Sequence, residues 1–493
     1  MAEPLYIAVD LGAGSGRVFL AGVDPGEFLL EEIHRFQYPP AISGDRLRWG
    51  FSHIFAEIKT GLGKAAVRAN ELRRPVRSIG VDSWAVDYGL IDAGGNLLAD
   101  PVCYRDDRTI GAMDEVFTRV SRSTIFEKTG IQFQNFNTLF QLYSEDGDLE
   151  RAAKALLLPD LINFFLTGKM AAERTNATTT QMVNASTGNW DRDLIDTLGI
   201  PGQILPEIIE TGTDLGPLKS EIADEVGLRG VRVIAPATHD TASAIAGAPL
   251  ADGRSYISSG TWSLVGVERD EALINPEVAR QNFTNTGGAY GKICFLKNVM
   301  GLWIFESCRR QWKAQGRDIE YEAIIGEVSA KQGISGLIFP DDPRFLNPPS
   351  MLGAIEQQMA ETGNVFDSDP ALVAKVIFDS LAFRYASVLR SIESLTGNKL
   401  SGLEILGGGG RNRYLNQMTA NASRLLVKAG LTEATVVGNV LVQAIANGRF
   451  ASLAEGRRFV AEKFAFEEFE PQTSAEIDAA ANRYLEIEGQ FVI

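Results

Sequence analysis

The sequence predicts an α/β chain built from two duplicated domains. Three observations carry this. The segment "LYIAVDLGAGSGRVFLAGVD" reads as strand, glycine-rich turn, strand, and the same device returns at residues 255–268 in "SYISSGTWSLVGVE". Strand patterns alternate with helical ones between these devices, as in an α/β chain. The 493 residues, 45% of them apolar, also exceed what one ordinary hydrophobic core holds. The two halves resemble each other in pattern and not in letters. Domains are expected at 1–248 and 249–493, with the boundary in the turn-rich "PLADG" of residues 249–253.

In chain order, Leu5 to Val9 is an apolar strand, Gly12 to Gly16 a turn, and Val18 to Val23 a second strand. "LLEEIHRF", residues 29–36, fits a third. "FSHIFAEIKTGLGKAAVRA" has helical period, with Ile54, Ile58, Leu62 and Ala65 or Ala66 on one face. "VRSIGVDSWAVDYGLID" fits two strands around a polar turn. Asp82, Trp84 and Asp87 alternate there, which would place Asp82 and Trp84 on one face. Val231 to Ala237 is an apolar run that stops at Thr238-His239-Asp240-Thr241, before an Ala-rich helical segment. Further on, "GLEILGGGGRNRYLNQMTANAS" is strand, four glycines, helix.

A net charge of −16 argues against a nucleic-acid or anionic-membrane partner, because such binding needs a basic face. The three cysteines, Cys103, Cys294 and Cys308, have no metal-site spacing and suit a reduced cytoplasmic protein. "MAEPLYIAVDLG" lacks the pattern of a signal peptide, and "ALLLPDLINFFLTG" is too short and too interrupted to span a bilayer. "NAT" at residues 176–178 fits a glycosylation sequon, which a cytoplasmic enzyme does not use.

Three turns are candidates for holding phosphate. Gly12, Gly14 and Gly16 do not have dinucleotide-fingerprint spacing, and the "RVFLAGV" that follows is β-patterned rather than helical. No G-x-x-x-x-G-K-[ST] occurs, so a P-loop is excluded. What remains is a tight turn whose amides can approach phosphate oxygens, with Ser15 and Arg17 as further donors. Asp10, at the strand end, can hold Mg²⁺ through water. "SSGTWS" offers a second turn, with Thr261 as donor, and "LGGGGRN" a third, around Gly408. Each alone also reads as an ordinary turn. Together they describe a nucleotide cleft between two duplicated domains.

These letters resemble the FGGY carbohydrate kinase family, and within it the rhamnulokinase branch. "AVDLGAGSGRV", "SIGVDSWAVD", "YRDDRT", "TNATTTQ", "HDTASA", "SSGTWSL", "LKNVMGLW", "GGGGRN" and "GN" at 438–439 follow the family's order from residue 7 to about residue 440. The resemblance implies actin-like, ribonuclease H-like domains and an ATP- and Mg²⁺-dependent kinase acting on a ketose at its C1 hydroxyl. It implies that Ala13, Gly14, Ser15, Gly16, Arg17 and Thr261 bind ATP phosphates and that Gly408 lies at the adenine nucleotide. His239, Asp240 and Thr241 would contact the sugar, Asp240 would be the catalytic base, and Asn298 would reach the sugar side.

Two positions depart from the branch. The residue after Trp84, usually a sugar-contacting glycine, is Ala85, and a nucleotide-side position usually occupied by glutamine is Glu306. One methyl in a packed pocket shifts sugar preference by roughly 1–3 kcal/mol, so L-fuculose or another ketose is the alternative substrate. A non-enzymatic actin-like ATP-binding protein is the alternative outside enzymes. From chemistry alone, Asp240 and Thr241 fit either helix capping or acceptance of a hydroxyl proton beside a γ-phosphate. Trp84 fits either a sugar platform or a core aromatic, with Asp82 as hydroxyl acceptor. Asp106 and Arg108 fit either the same site or a surface ion-pair loop. A clamp of two domains would close on its substrates and exclude water.

Overall fold

The computed structural model describes residues 3–145 and 147–491. It contains two compact units. The first runs to Pro249 and also takes Glu268–Phe295 and Ala434–Lys463; the second comprises Leu250–Val267, Leu296–Glu433 and the chain from Phe464 onward. The units therefore interleave along the sequence, whereas the expected 1–248 and 249–493 division follows chain order.

The first unit is organised by a six-stranded sheet. Its strands are β1 (Leu5–Gly12), β2 (Ser15–Val23), β3 (Phe28–Gln37), β4 (Val76–Ser83), β5 (Asp214–Pro217) and β6 (Arg232–Ile234), in the spatial order β5-β6-β4-β1-β2-β3. β1, β2 and β3 form an antiparallel meander, β4 runs parallel to β1, and β6 runs parallel to β4. Side chains alternate across β1. Leu5, Ile7, Val9 and Leu11 join Ile79 and Val81 of β4 in one apolar cluster with Ile54, Ile58, Leu62 and Ala65 of helix α1 (Phe51–Glu71). Tyr6, Ala8 and Asp10 take the other face, where Ala8 neighbours Gly80 and Asp10 neighbours Asp82. One apolar face and one face of small and acidic residues thus follow from a period of two.

That second face is covered by helix α3 (Ala434–Ala446), which also packs against helix α2 (Asp240–Gly247). The helices meet backbone to backbone. A Cβ on Gly438 would stand 1.8 Å from the Ser243 carbonyl oxygen, and one on Gly247 would stand 2.4 Å from that of Ala434. Only glycine permits so close a crossing.

The second sheet contains β7 (Arg254–Ser259), β8 (Trp262–Arg269), β9 (Ile293–Met300), β10 (Gly402–Leu406), β11 (Val427–Ala429) and β12 (Glu467–Phe469), which neighbour one another in the order β9-β8-β7-β10-β11-β12. β7 and β8 are antiparallel, β10 is parallel to β7, β11 is parallel to β10, and β12 closes antiparallel. The first sheet has the same run of an antiparallel hairpin, two parallel strands and an antiparallel edge, and the second carries a further strand, Thr284–Gly287, beyond β9. The duplication expected from two strand–turn–strand devices is therefore present in the topology.

Two local expectations change. The apolar run 231–237 gives a strand only over Arg232–Ile234. Ala235 still exchanges backbone bonds with Gly212 and Thr213, but Pro236 has no N–H and ends the ladder. Trp84 does not share a strand face with Asp82, because β4 ends at Ser83. The chain then turns through Ala85 and Val86, with Val86 at φ 70°.

Candidate active site

β1 delivers Asp10 and then the turn to β2. Gly14 sits at φ 139°, a conformation that favours glycine, and its N–H bonds the Gly12 carbonyl at 2.7 Å. Gly16 has a different reason: its Cβ would lie 2.4 Å from the Phe36 ring. Ala13 packs against the core, and Ser15 opens β2. Tyr38, which the sequence did not single out, fastens this turn. Its hydroxyl donates to the carbonyls of Gly12 at 2.6 Å and Ser15 at 2.8 Å, and its N–H to that of Gly14 at 3.0 Å. Those bonds occupy carbonyl oxygens that would repel an anion approaching the turn amides.

Three carboxyls meet at the ends of β1, β4 and β6. Asp10 pairs across the ladder with Arg17, whose guanidinium bonds its carboxylate, and on the other side Asp10 neighbours Asp82. Beyond β6 the chain is drawn beside the end of β4, where the Ser83 N–H donates to the Thr238 carbonyl at 2.9 Å and His239 bridges Ser83. Asp240 then opens α2, with His239 at the N-cap position. The Tyr38 phenol is pushed far up by burial and by the negative charges of Asp10, Asp240 and Asp82, which places all three acids in its neighbourhood.

Their environments differ. Asp82 is fully buried, and burial together with Asp10 holds its carboxyl well above the usual range. One of its oxygens accepts from Asn439 Nδ2 at 2.5 Å; the other, Oδ1, is buried and receives no N–H or O–H donor, and the Asp10 carboxyl lies within hydrogen-bonding reach of Asp82. The Asp240 side chain is one-third exposed (33%). Burial and the charge of Asp10 raise it to about 7, against hydrogen bonds from Thr241. The Thr241 N–H and hydroxyl both donate to Asp240 Oδ1, at 2.5 and 3.1 Å. So Asp240 does meet helix-terminal donors, while keeping access to solvent. His239 is lowered to about 4 by burial and is neutral; its Nε2 stands 3.6 Å from Asp240 Oδ1, beyond hydrogen-bond reach.

A buried glutamate holds this segment in place. Glu173 is fully buried and accepts from Thr211 Oγ1 (2.6 Å), Thr175 N–H (2.9 Å) and Oγ1 (2.5 Å), and Thr238 N–H (3.1 Å) and Oγ1 (3.0 Å). Thr175 Oγ1 in turn accepts from the His239 N–H at 3.2 Å. The residue lies just before the "TNATTTQ" stretch; its sequence signal was a lone acid among threonines.

Trp84 is buried beside Tyr38 and Trp49, with ring centroids at 6.0 and 4.7 Å. Its indole N–H donates to Asp87 at 3.0 Å, as does that of Trp49 at 2.6 Å. Ala85 is half-buried in the turn that follows, its carbonyl accepting from the Asp87 N–H at 3.0 Å. Arg108 and Asp106 lie in a segment whose Arg105, Asp107 and Ile110 are exposed, and their own side chains turn inward into ion pairs. Arg108 is buried, paired with Glu145 at 2.7 Å and Gln141 at 2.7 Å, and Asp106 accepts from the Leu47 N–H at 2.6 Å.

The remaining candidates lie in the second unit. Thr261 is exposed at the β7–β8 turn, and its carbonyl accepts from the Trp303 N–H at 3.1 Å. Gly408, in the turn after β10, is exposed and has open space where a Cβ would point. Its neighbours are glycine for other reasons: Gly407 sits at φ 80°, and a Cβ on Gly409 would stand 2.0 Å from Ser259 Oγ, beside the Thr261 turn. Glu306 is on the helix Trp303–Ala314, paired with Arg309 at 3.0 Å. Asn298 is on β9. Among the described residues, no group of three or more His, Cys, Asp or Glu side chains is arranged to chelate a metal directly, and no helix is long and apolar enough to cross a membrane.

The chain is similar to known proteins in sequence and in fold. Residues 5–247 match the model of the N-terminal domain of the FGGY family of carbohydrate kinases, and residues 255–447 match that of its C-terminal domain. A rhamnulokinase of Bacteroides thetaiotaomicron is 40% identical over 480 residues, covering 96% of this chain and 97% of its own. One of Halalkalibacterium halodurans is 41% identical over 463 residues, covering 93% and 97%. The fold is similar to that of a gluconate kinase from Lactobacillus acidophilus, with a TM-score of 0.82 at 15% identity over 99% of this chain and 98% of that one. It is similar also to a Plasmodium falciparum glycerol kinase with ADP, with a TM-score of 0.81 at 15% identity over 100% and 99%. With both domain models matched in order along most of its length, this chain belongs to the FGGY family of carbohydrate kinases.

Proposed function

We propose that this kinase uses ATP to phosphorylate the C1 hydroxyl of L-rhamnulose in the cytoplasm, giving L-rhamnulose 1-phosphate and ADP. The choice of sugar is supported by relatives of about 40% identity that are named rhamnulokinases. The observation that carries the mechanism is Asp240, a carboxyl raised to about 7, at the start of α2 and in the electrostatic reach of Asp10.

Phosphoryl transfer needs a positioned alcohol, an acceptor for its proton, and charge neutralisation at the γ-phosphate. Asp240 takes the C1 hydroxyl proton as the sugar oxygen bonds the γ-phosphorus and the bond from that phosphorus to the β–γ bridging oxygen breaks. The amides of Ala13 to Arg17 and the Arg17 guanidinium face the developing negative charge. Thr261, Glu306 and Gly408 belong to the nucleotide, and Asp82, Ala85, His239, Thr241 and Asn298 to the sugar. Trp84 serves the sugar from behind, as part of the aromatic wall with Tyr38. Asp10, at the end of β1 and with no group of three or more His, Cys, Asp or Glu side chains arranged to chelate a metal among the described residues, suits a hydrated Mg²⁺ held through water rather than by direct chelation. When bound, that ion supplies positive charge to the phosphate oxygens.

The test is ADP release with MgATP across L-rhamnulose, L-fuculose, L-xylulose, D-xylulose, L-ribulose and glycerol. L-rhamnulose should give the highest kcat/KM. Turnover of another ketose in preference would move the substrate and make Ala85 responsible. ATP binding with no sugar turned over, and pelleting of filaments with ATP, would replace the kinase by the actin-like reading.

A further inference from the structure

A buried ladder of amides runs through the first unit and ends on Asp82. Asn439, Gln443 and Asn447 follow one another at intervals of four, so they line one side of α3 and its end. Asn439 Nδ2 donates to Asp82 Oδ2 at 2.5 Å. Gln443 Nε2 donates to Asn439 Oδ1 at 2.7 Å and to the Ile7 carbonyl at 3.0 Å. The Ser78 hydroxyl donates to Gln443 Oε1 at 2.8 Å, and Asn447 Nδ2 donates to Ser78 Oγ at 3.1 Å. Ser78, Asp82, Asn439 and Gln443 are all fully buried.

The direction of the ladder is determined. A backbone carbonyl only accepts, so the Ile7 oxygen requires the NH₂ end of Gln443 to face it. That end also faces Asn439, which must then offer its oxygen. The NH₂ of Asn439 is left for Asp82. Donors therefore point toward Asp82 at every rung from Asn447 inward, and such chains polarise one another. Room for the ladder comes from Gly80 on β4, where a Cβ would stand 2.2 Å from Asn439 Oδ1 and 2.8 Å from Gln443 Nε2. Four buried polar side chains cost desolvation that an apolar seam would not. The end point is an acid with one oxygen held by Asn439 and its twin, Oδ1, buried, beside the Asp10 carboxyl and given no N–H or O–H donor.

We infer that Asn439 is a positioning residue for ketose recognition: locked by Gln443 and Ser78 in the space opened by Gly80, it fixes the Asp82 carboxyl so that Oδ1 is presented to a sugar hydroxyl. This rests on the carboxyl cluster being the sugar site.

The test is ketose binding measured by calorimetry without ATP, beside KM for ketose and for ATP, in Asn439→Leu, Gln443→Leu, Gly80→Ala and Ser78→Ala. Asn439→Leu should weaken L-rhamnulose binding about 10- to 100-fold, the usual loss for a hydrogen bond to a charged or strongly polarised group. Gln443→Leu and Gly80→Ala should follow in the same direction, with KM for ATP within about twofold of wild type. Ser78→Ala removes only a hydroxyl two rungs away and should fold where the others do not; it should weaken ketose binding about threefold. Ketose binding unchanged in Ser78→Ala and in whichever larger variants fold would overturn the inference. So would parallel losses for ketose and ATP, which mark a merely structural role. A wild-type chain that binds ketose without transferring phosphate would sink the proposed reaction and leave this test intact; one that binds no ketose would overturn both.

Discussion

Asp240 is an acid whose ordinary chemistry would leave it ionised and weakly basic, and its surroundings change that. Burial and the charge of Asp10 raise it to about 7. The free protein therefore keeps it protonated below that value, and the proton-accepting form grows as pH rises. We expect kcat/KM for the ketose to climb about tenfold per pH unit below 7 and to level above it, since this profile reports the free enzyme's base. Asp240→Asn should lose the pH-dependent limb and about 10²- to 10⁴-fold in rate. A profile in Asp240→Asn that still rises through 7 would assign the base elsewhere. His239 is no rival, because burial lowers it to about 4 and holds it neutral throughout this range. Ala85 carries the second expectation at this scale. Ala85→Gly removes one methyl from a half-buried turn and should change the kcat/KM ratio between L-rhamnulose and L-fuculose by about tenfold or more, with KM for ATP unchanged. An unaltered ratio would clear Ala85 of any part in sugar choice.

At the scale of elements, the site depends on where Pro236 stops a ladder and on what catches the chain beyond it. Glu173 does so with five hydrogen bonds, two of them to Thr238. Glu173→Ala would leave five donors without this acceptor, three of them threonine hydroxyls. We expect a loss of about 3 kcal/mol or more in denaturant unfolding, with kcat falling further than the folded fraction explains. Full kcat in the folded fraction would show that the Thr238–Asp240 segment holds itself. Little of this was legible beforehand. The strands around Asp10 and the helix Phe51–Glu71 follow from periods of two and four in apolar residues, and the sequence shows both. Glu173, Tyr38 and Asn439 act through partners tens to hundreds of positions away, and local pattern contains no record of such pairings. The glycines divide in the same way. Gly14 is legible as a turn, but Gly16, Gly80 and Gly409 are glycine because of Phe36, Asn439 and Ser259, each supplied by another element. Trp84 was legible as a sugar platform or a core aromatic and not as an indole donating to a buried carboxylate, because Asp87 as its partner is a matter of the turn between them.

For the whole molecule, the repeated sheet plan and the two compact units lead us to expect that each unit opens by its own route. The cysteines report on each. Cys103 is buried in the first unit and Cys308 in the second, and burial pushes both thiols up to about 12. Neither thiol is reactive in the folded state at neutral pH, so labelling requires opening, and its rate measures the open population where reclosing is fast. A ligand that binds only the closed form lowers that population by 1 + [L]/Kd. L-rhamnulose at about 100 times its Kd should therefore slow Cys103 labelling about 100-fold, because Asp82, His239 and Asp240 all belong to that unit. ADP at the same saturation should slow Cys308 labelling as well, because Thr261, Glu306 and Gly408 join the Ala13–Arg17 turn in holding it and Cys308 shares its helix with Glu306. Equal slowing of both thiols by L-rhamnulose would mean that the units open together, and the duplication would then be a record of descent with no separate stability behind it.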